Sequence, residues 1–140
     1  MEKKDHLIKK LEELVNERSH LLVKDYMSKT PISIQSDQSV KDAVKLMIDH
    51  RIHGLAVLKG EKLVGVVSTF DLLLVVALDD FDGLMPIEML IAQKPITVTS
   101  ESSVRNALAI MIEKNIHRLP VMEGEKLVGM LSVTDLEVIL

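Results

Sequence analysis

A chain of 140 residues suits one compact domain or two very small ones sharing a core. It is 47% hydrophobic, 27% charged and 2% aromatic, which is too apolar for a disordered chain. Its 17 Lys and Arg face 21 Asp and Glu, and the formal net charge of −4 argues against a nucleic-acid binder, which needs a basic field. One Tyr, two Phe and no Trp also leave little on which unpaired bases could stack. The absence of Cys excludes disulfides, thiolate metal sites and cysteine nucleophiles.

In chain order, Met1 to His6 passes at once into mixed charge with no apolar signal-peptide core, so the expected setting is cytoplasmic. Leu7, Leu11, Leu14, Val15, Leu21 and Leu22 form an apolar stripe over residues 5–22. That stripe predicts an amphipathic helix packed on its own protein or on a dimer mate, too short for a coiled coil. Pro31 precedes a β-branched run, Ile32 to Ile34, that suits a strand. Ser39 reads as an N-cap, followed by Val40, Ala43, Val44, Met47 and Ile48 on one helical face. Two strands follow, Leu55 to Leu58 and Lys62 to Val67, joined through Lys59-Gly60-Glu61 as a hairpin. A second helix starts near Thr69 and carries the apolar run Leu72 to Leu78, far short of the roughly 20 residues that cross a bilayer. No membrane association is expected. Asp79-Asp80-Phe81-Asp82-Gly83 then forms an acidic joint. A calcium loop there is rejected, because Leu78 and Met89 occupy its first and twelfth ligand positions.

Beyond the joint the sequence repeats itself. Pro31-Ile32 returns as Pro95-Ile96, Ser39-Val40 as Ser103-Val104, Ala43 as Ala107, Met47 as Met111 and Ile52-His53 as Ile116-His117. Gly60-Glu61-Lys62-Leu63-Val64-Gly65 returns letter for letter as Gly124-Glu125-Lys126-Leu127-Val128-Gly129. From Pro31–Leu72 to Pro95–Leu136 the copies align without a gap. The fold class is therefore α/β: two strand–helix–strand–strand–helix (βαββα) repeats, each too small to be secure alone, related by a pseudo-twofold axis. The expected divisions are an N-terminal helix over residues 1–22, a first repeat over 23–80 and a second over 81–140.

Both copies carry Ser-x-x-Asp where strand gives way to helix: Ser68 with Asp71, and Ser132 with Asp135. A carboxylate can accept two hydrogen bonds from a vicinal diol, and exposed helix-start amides attract phosphate. The same spacing is also close to a capping box, in which the side chains only satisfy orphan amides. Both readings stay open. His53 and His117 occupy matched positions before the second strand, where a histidine commonly serves as a hydrogen-bonded structural residue. Met47 and Met111 lie on the helical stripe and read as core. Enzyme readings fail: Gly60-x-x-x-x-Gly65 and its twin run on into Val66-Val67 and Met130-Leu131 where a phosphate loop needs Lys-Ser/Thr. His50-x-x-His53 lacks a third metal ligand. No acid–base pair is assembled.

The pattern Val23-x-Asp25-x-Met27, Thr30-Pro31, Ser39-Val40-x-x-Ala43, and Leu63-Val64-Gly65-x-x-Ser68-x-x-Asp71-Leu72 resembles the cystathionine-β-synthase (CBS) domain. The second copy matches through Pro95, Ser103-Val104, Ala107, Leu119-Pro120-Val121, Leu127-Val128-Gly129 and Ser132-x-x-Asp135-Leu136. It departs where Ile87, Met89 and Ile91 replace Val23, Asp25 and Met27. Two such domains in tandem resemble a Bateman module. The resemblance implies a non-catalytic, energy-sensing regulatory module that binds AMP, ADP, ATP, S-adenosylmethionine or another adenosyl ligand in clefts between the repeats, with no cofactor required. It implies that Asp71 and Asp135 hold ribose hydroxyls while Ser68 and Ser132 approach phosphate. Arg118, beside His117, stands where a basic side chain of the family reaches phosphate, and a guanidinium offers paired donors. Gly54 takes that place in the first copy, so the two clefts are expected to be unequal. Adenine needs an apolar slot, for which Ile32, Ile52, Ile96 and Ile116 are the candidates, each equally readable as core. Family geometry further implies that Ile32, Ile52 and His53 join Ser132 and Asp135, while Ile96, Ile116, His117 and Arg118 join Ser68 and Asp71. A homodimer and a regulated partner protein are also implied, with Leu72, Leu73, Val75 and Val76 as contact surface. The competing expectation is a ligand-free dimerisation scaffold in which each Asp is a helix cap.

Overall fold

The structure is a computed structural model and describes residues 2–16, 20–77, 83–91 and 93–139. The acidic joint at 79–82 and the stretch 17–19 lie outside the described residues. Helix α1 spans Glu2–Asn16, followed by a 3-10 turn at Val23–Asp25. The first repeat then gives β1 (Ser33–Gln35), α2 (Val40–His50), β2 (Gly54–Lys59), β3 (Lys62–Ser68) and α3 (Thr69–Ala77). After a second 3-10 turn at Ile87–Leu90 come β4 (Val98–Thr99), α4 (Val104–Lys114), β5 (Arg118–Glu123) and β6 (Lys126–Ser132). The last element is a 3-10 helix, Thr134–Ile139, where the repeat pattern predicts an α-helix. Among the described residues no helix is long and apolar enough to cross a membrane.

Each repeat makes a three-stranded mixed sheet. In the first, β1 runs parallel to β2 and β2 antiparallel to β3; β4, β5 and β6 repeat the arrangement. The parallel step needs a crossover, and α2 and α4 supply it. Ser39 starts α2 with a full capping box: its Oγ accepts from Asp42 N, and Asp42 Oδ2 accepts from Ser39 N. Ser103 starts α4 with half of one, accepting from Asn106 N. Both hairpins turn at a glycine with positive φ, Gly60 at 64° and Gly124 at 60°, a conformation that costs glycine nothing. The first strands begin later than their β-branched runs suggest, so Ile32 and Ile96 precede β1 and β4 rather than belonging to them.

The chain forms two compact units, and they do not follow sequence order. One is Pro31–Pro95; the other joins Met1–Thr30 to Ile96–Leu140. The divisions at 23–80 and 81–140 read from the sequence thus exchange their leading segments. Val23 N donates to Ser102 O and Lys24 N to Ser100 O, while Ile87 N donates to Gln38 O and Glu88 N to Ser36 O. Each 3-10 turn is stitched to the loop that follows the other repeat's first strand.

The cores repeat with the same exchange. In the first-repeat unit (Pro31–Pro95), Ile34, Val40, Ala43, Met47, Leu55, Val57, Val67 and Leu72 are buried together with Ile87. In the second-repeat unit, Val98, Val104, Ala107, Met111, Leu119, Val121, Leu131 and Leu136 are buried with Val23. Full burial of such a side chain stabilises by about 1.5–3 kcal/mol, so each turn is held chiefly by its apolar plug. Leu72 is in the core, not on a contact surface, and the Val76 side chain lies outside the described residues. Helix α1 packs on α4, with the Lys4 ammonium donating to the Glu113 carbonyl at the α4 C-terminus. Leu7 remains 48% exposed, and Leu21 and Leu22 lie beyond the helix, so the apolar stripe of residues 5–22 is not one helical face.

Candidate functional site

In each unit the hairpin's second strand ends in a serine whose neighbours bring the candidate residues to one end of the sheet. In the first-repeat unit, Gly54 pairs in register with Ser68 across β2 and β3. Thr69 N donates to His53 O at 2.9 Å, which ties the start of α3 to the residue before β2. Ser68 N and Ser68 Oγ both donate to Asp71 Oδ2, at 2.7 and 3.0 Å, and Asp71 N donates back to Ser68 Oγ at 3.3 Å. This is the reciprocal geometry of a capping box built with aspartate.

The second-repeat unit builds the corner from its twins. Arg118 pairs in register with Ser132 across β5 and β6, and Val133 N donates to His117 O at 2.9 Å. Ser132 N donates to Asp135 Oδ2 at 2.8 Å, and Asp135 N to Ser132 Oγ at 3.4 Å. Here the serine hydroxyl lies 2.8 Å from Thr134 Oγ1 instead of on the carboxylate. Sequence reading passed over Thr134; the signal was a second hydroxyl within Ser132-Val133-Thr134-Asp135, where the first copy has Phe70.

Ser68, Asp71, Ser132, Asp135 and Arg118 are half-buried, and His53 and His117 are exposed. The bonds at both carboxylates run to Oδ2, so among the described residues Oδ1 takes no part in these contacts. A carboxylate fixed through one oxygen and open at the other can accept from a polyhydroxyl ligand without rearranging its helix. The structure therefore brings His53, Ser68 and Asp71 together within one unit, and His117, Arg118, Ser132 and Asp135 within the other. Ile32 and Ile52 pack on the first-repeat core and Ile116 on the second, while Ile96 is 37% exposed. Among the described residues no three His, Asp or Glu side chains converge to hold a metal ion.

The family comparison matches this architecture. The CBS domain model matches residues 23–78 and 87–138, so its two copies start at the 3-10 turns of Val23 and Ile87. The chain is similar to CBS domain-containing protein YhcV of Bacillus subtilis, 26% identical over 116 residues, with 83% of each chain covered. It is 33% identical over 105 residues to an inosine-5′-monophosphate dehydrogenase of Korarchaeum cryptofilum, covering 74% of this chain but only 21% of that enzyme. Among solved structures it resembles the CBS domain pair of protein MJ0100, in complex with 5′-methylthioadenosine and S-adenosyl-L-methionine. That match has a TM-score of 0.75 at 29% identity and covers 84% of this chain and 93% of that one. With two matched copies, two three-stranded sheets built to one plan and a Ser-x-x-Asp corner in each, the chain belongs to the CBS domain family as a tandem pair.

Proposed function

We propose that the chain is a non-catalytic regulatory module that binds an adenosine-containing small molecule: AMP, ADP, ATP or another adenosyl compound such as S-adenosylmethionine. Asp71 and Asp135 accept from ribose hydroxyls. Ser68 and Ser132 approach the 5′ substituent, with His53, His117 and Arg118 beside it. Ile32, Ile52, Ile96 and Ile116 supply apolar contact to adenine. The observation that carries this reading is the twice-built corner in which, among the described residues, each half-buried aspartate's carboxylate is held through Oδ2. The similarity to a CBS pair bound to 5′-methylthioadenosine and S-adenosylmethionine supports the same ligand class. Binding acts by population shift, through unequal affinity for two arrangements of the module.

A thermal-shift panel of AMP, ADP, ATP, NADH and S-adenosylmethionine tests it. A ligand at a hundred times its dissociation constant stabilises by about 2.7 kcal/mol, a shift of several degrees for a chain of this size. If no compound moves the melting point, the reading fails.

A second reading, a ligand-free dimerisation scaffold, draws on the reciprocal bonds that make Asp71 a helix cap. It also draws on α3, whose Phe70, Leu73 and Leu74 are 66%, 59% and 46% exposed. An uncharged face at this spacing suits pairing with a second copy. Phe70→Glu with Leu73→Glu should then convert a dimer to monomer by analytical ultracentrifugation. An unchanged mass would remove that role from α3.

A further inference from the structure

Helices α2 and α4 are twins, yet their outer sides are not equally covered. Val44, Lys45 and Ile48 of α2 match Leu108, Ala109 and Ile112 of α4, three positions that share one side of a helix. On α2, Lys45 is exposed and Ile48 is 69% exposed. On α4, Leu108 is buried and Ala109 and Ile112 are half-buried. The element packed most extensively on α4 is α1, which lies outside both matched CBS copies. Its Lys4 and Ile8, one turn apart, are half-buried, and the Lys4 ammonium donates to the Glu113 carbonyl.

The sequences of the two stripes differ in the same sense. The uncovered α2 stripe contains Lys45, and pairing it with an identical copy would bring like charges together. The α4 stripe has Ala109 in that place, so it is apolar throughout and small at its middle, where another helix can approach closely. A helix of 15 residues is marginal in water by itself, so α1 owes its form to this seat. We infer that α1 is an intramolecular shield: the stripe of Leu108, Ala109 and Ile112 is a self-association surface that fits the α4 of a second copy, and α1 occupies it within the single chain. An isologous pair sets each stripe against its own likeness, so what suits one helix suits the other. Unseating α1 exchanges an intramolecular helix contact for an intermolecular one. None of this depends on adenosyl binding.

Sedimentation equilibrium of the full chain tests it on the wild type, on Lys4→Glu/Ile8→Glu, and on that double variant with Ala109→Lys added. Glutamate at position 8 removes the apolar contact, and glutamate at position 4 sets a negative charge against the α4 C-terminal carbonyls. The double variant should sediment at about twice the wild-type mass. Ala109→Lys, which gives α4 the lysine that α2 carries, should return it to the wild-type mass. An unchanged mass in the double variant overturns the shield, and a doubled mass that survives Ala109→Lys overturns α4 as the surface. Loss of the cooperative thermal melt in the double variant also overturns it, because α1 would then belong to the fold rather than cover it.

Discussion

Arg51 ends α2 in the left-handed region at φ 53°, and Asn115 ends α4 at the same angle. Each amide donates back into the last helical turn, to Ile48 O and Ile112 O. Asparagine tolerates that conformation; arginine pays for its Cβ there. Arg51→Gly should therefore raise stability by about 0.5–1 kcal/mol in urea unfolding, and Asn115→Gly by less. The starts of these helices were legible, because Ser39 and Ser103 precede apolar periodicity, but their ends were not. Neither Arg51 nor Asn115 is the glycine that usually marks a C-cap. Ser39→Ala should cost about 1 kcal/mol, and more than Ser103→Ala, because only Ser39 has a partner returning the bond. At Lys24 the hydrogen bond to Glu101, 2.9 Å away, and that carboxylate's charge raise the ammonium pKa above its ordinary 10.5, against the opposing effect of desolvation. The folded-state pKa is the higher one, so the pair favours folding below 10.5 and that contribution disappears as pH rises through the raised value. An NMR titration should find the Lys24 pKa displaced upward in the wild type and lowered in Glu101→Gln.

Among elements, the 3-10 turns matter most for their length. Ile87 is fully buried in the first-repeat core, so Ile87→Ala should cost about 2–5 kcal/mol by denaturant unfolding, although it lies outside the repeated strands and helices. The sequence aligns Ile87, Met89 and Ile91 with Val23, Asp25 and Met27, and the structure keeps that equivalence. What the offset could not tell is which sheet each segment joins. A hydrophobic residue at a matched position specifies burial, not the identity of its neighbours. The glycines midway along each hairpin's second strand record the exchange. A Cβ on Gly65 would lie 2.7 Å from Ile91 Cγ2, and one on Gly129 would lie 2.7 Å from the Ser28 carbonyl oxygen. A flexible side chain can move aside; a backbone carbonyl cannot do so cheaply. Gly129→Ala should thus cost about 1–3 kcal/mol and exceed Gly65→Ala in the same measurement.

For the whole molecule, the exchange makes one unit continuous in sequence and the other discontinuous. The fragment 31–95 contains its entire unit, including Ile87, whereas 23–80 follows the repeat boundary and lacks it. By circular dichroism the fragment 31–95 should keep more of its secondary structure than 23–80; equal or greater content in 23–80 would contradict the exchanged cores. The αβ repeat and most of the candidate site were legible because they rest on local spacing, as in Ser68 to Asp71 and Ser132 to Asp135. The contact between Ser132 Oγ and Thr134 Oγ1 was not, because it depends on which way a serine hydroxyl turns. The central claim is that these aspartates meet a ligand rather than only a helix end. Titration calorimetry of AMP and S-adenosylmethionine into the wild type and the Asp71→Ala/Asp135→Ala double variant measures this directly. The account predicts binding to the wild type and a loss of at least roughly tenfold in the folded variant. Equal affinity in both would contradict it.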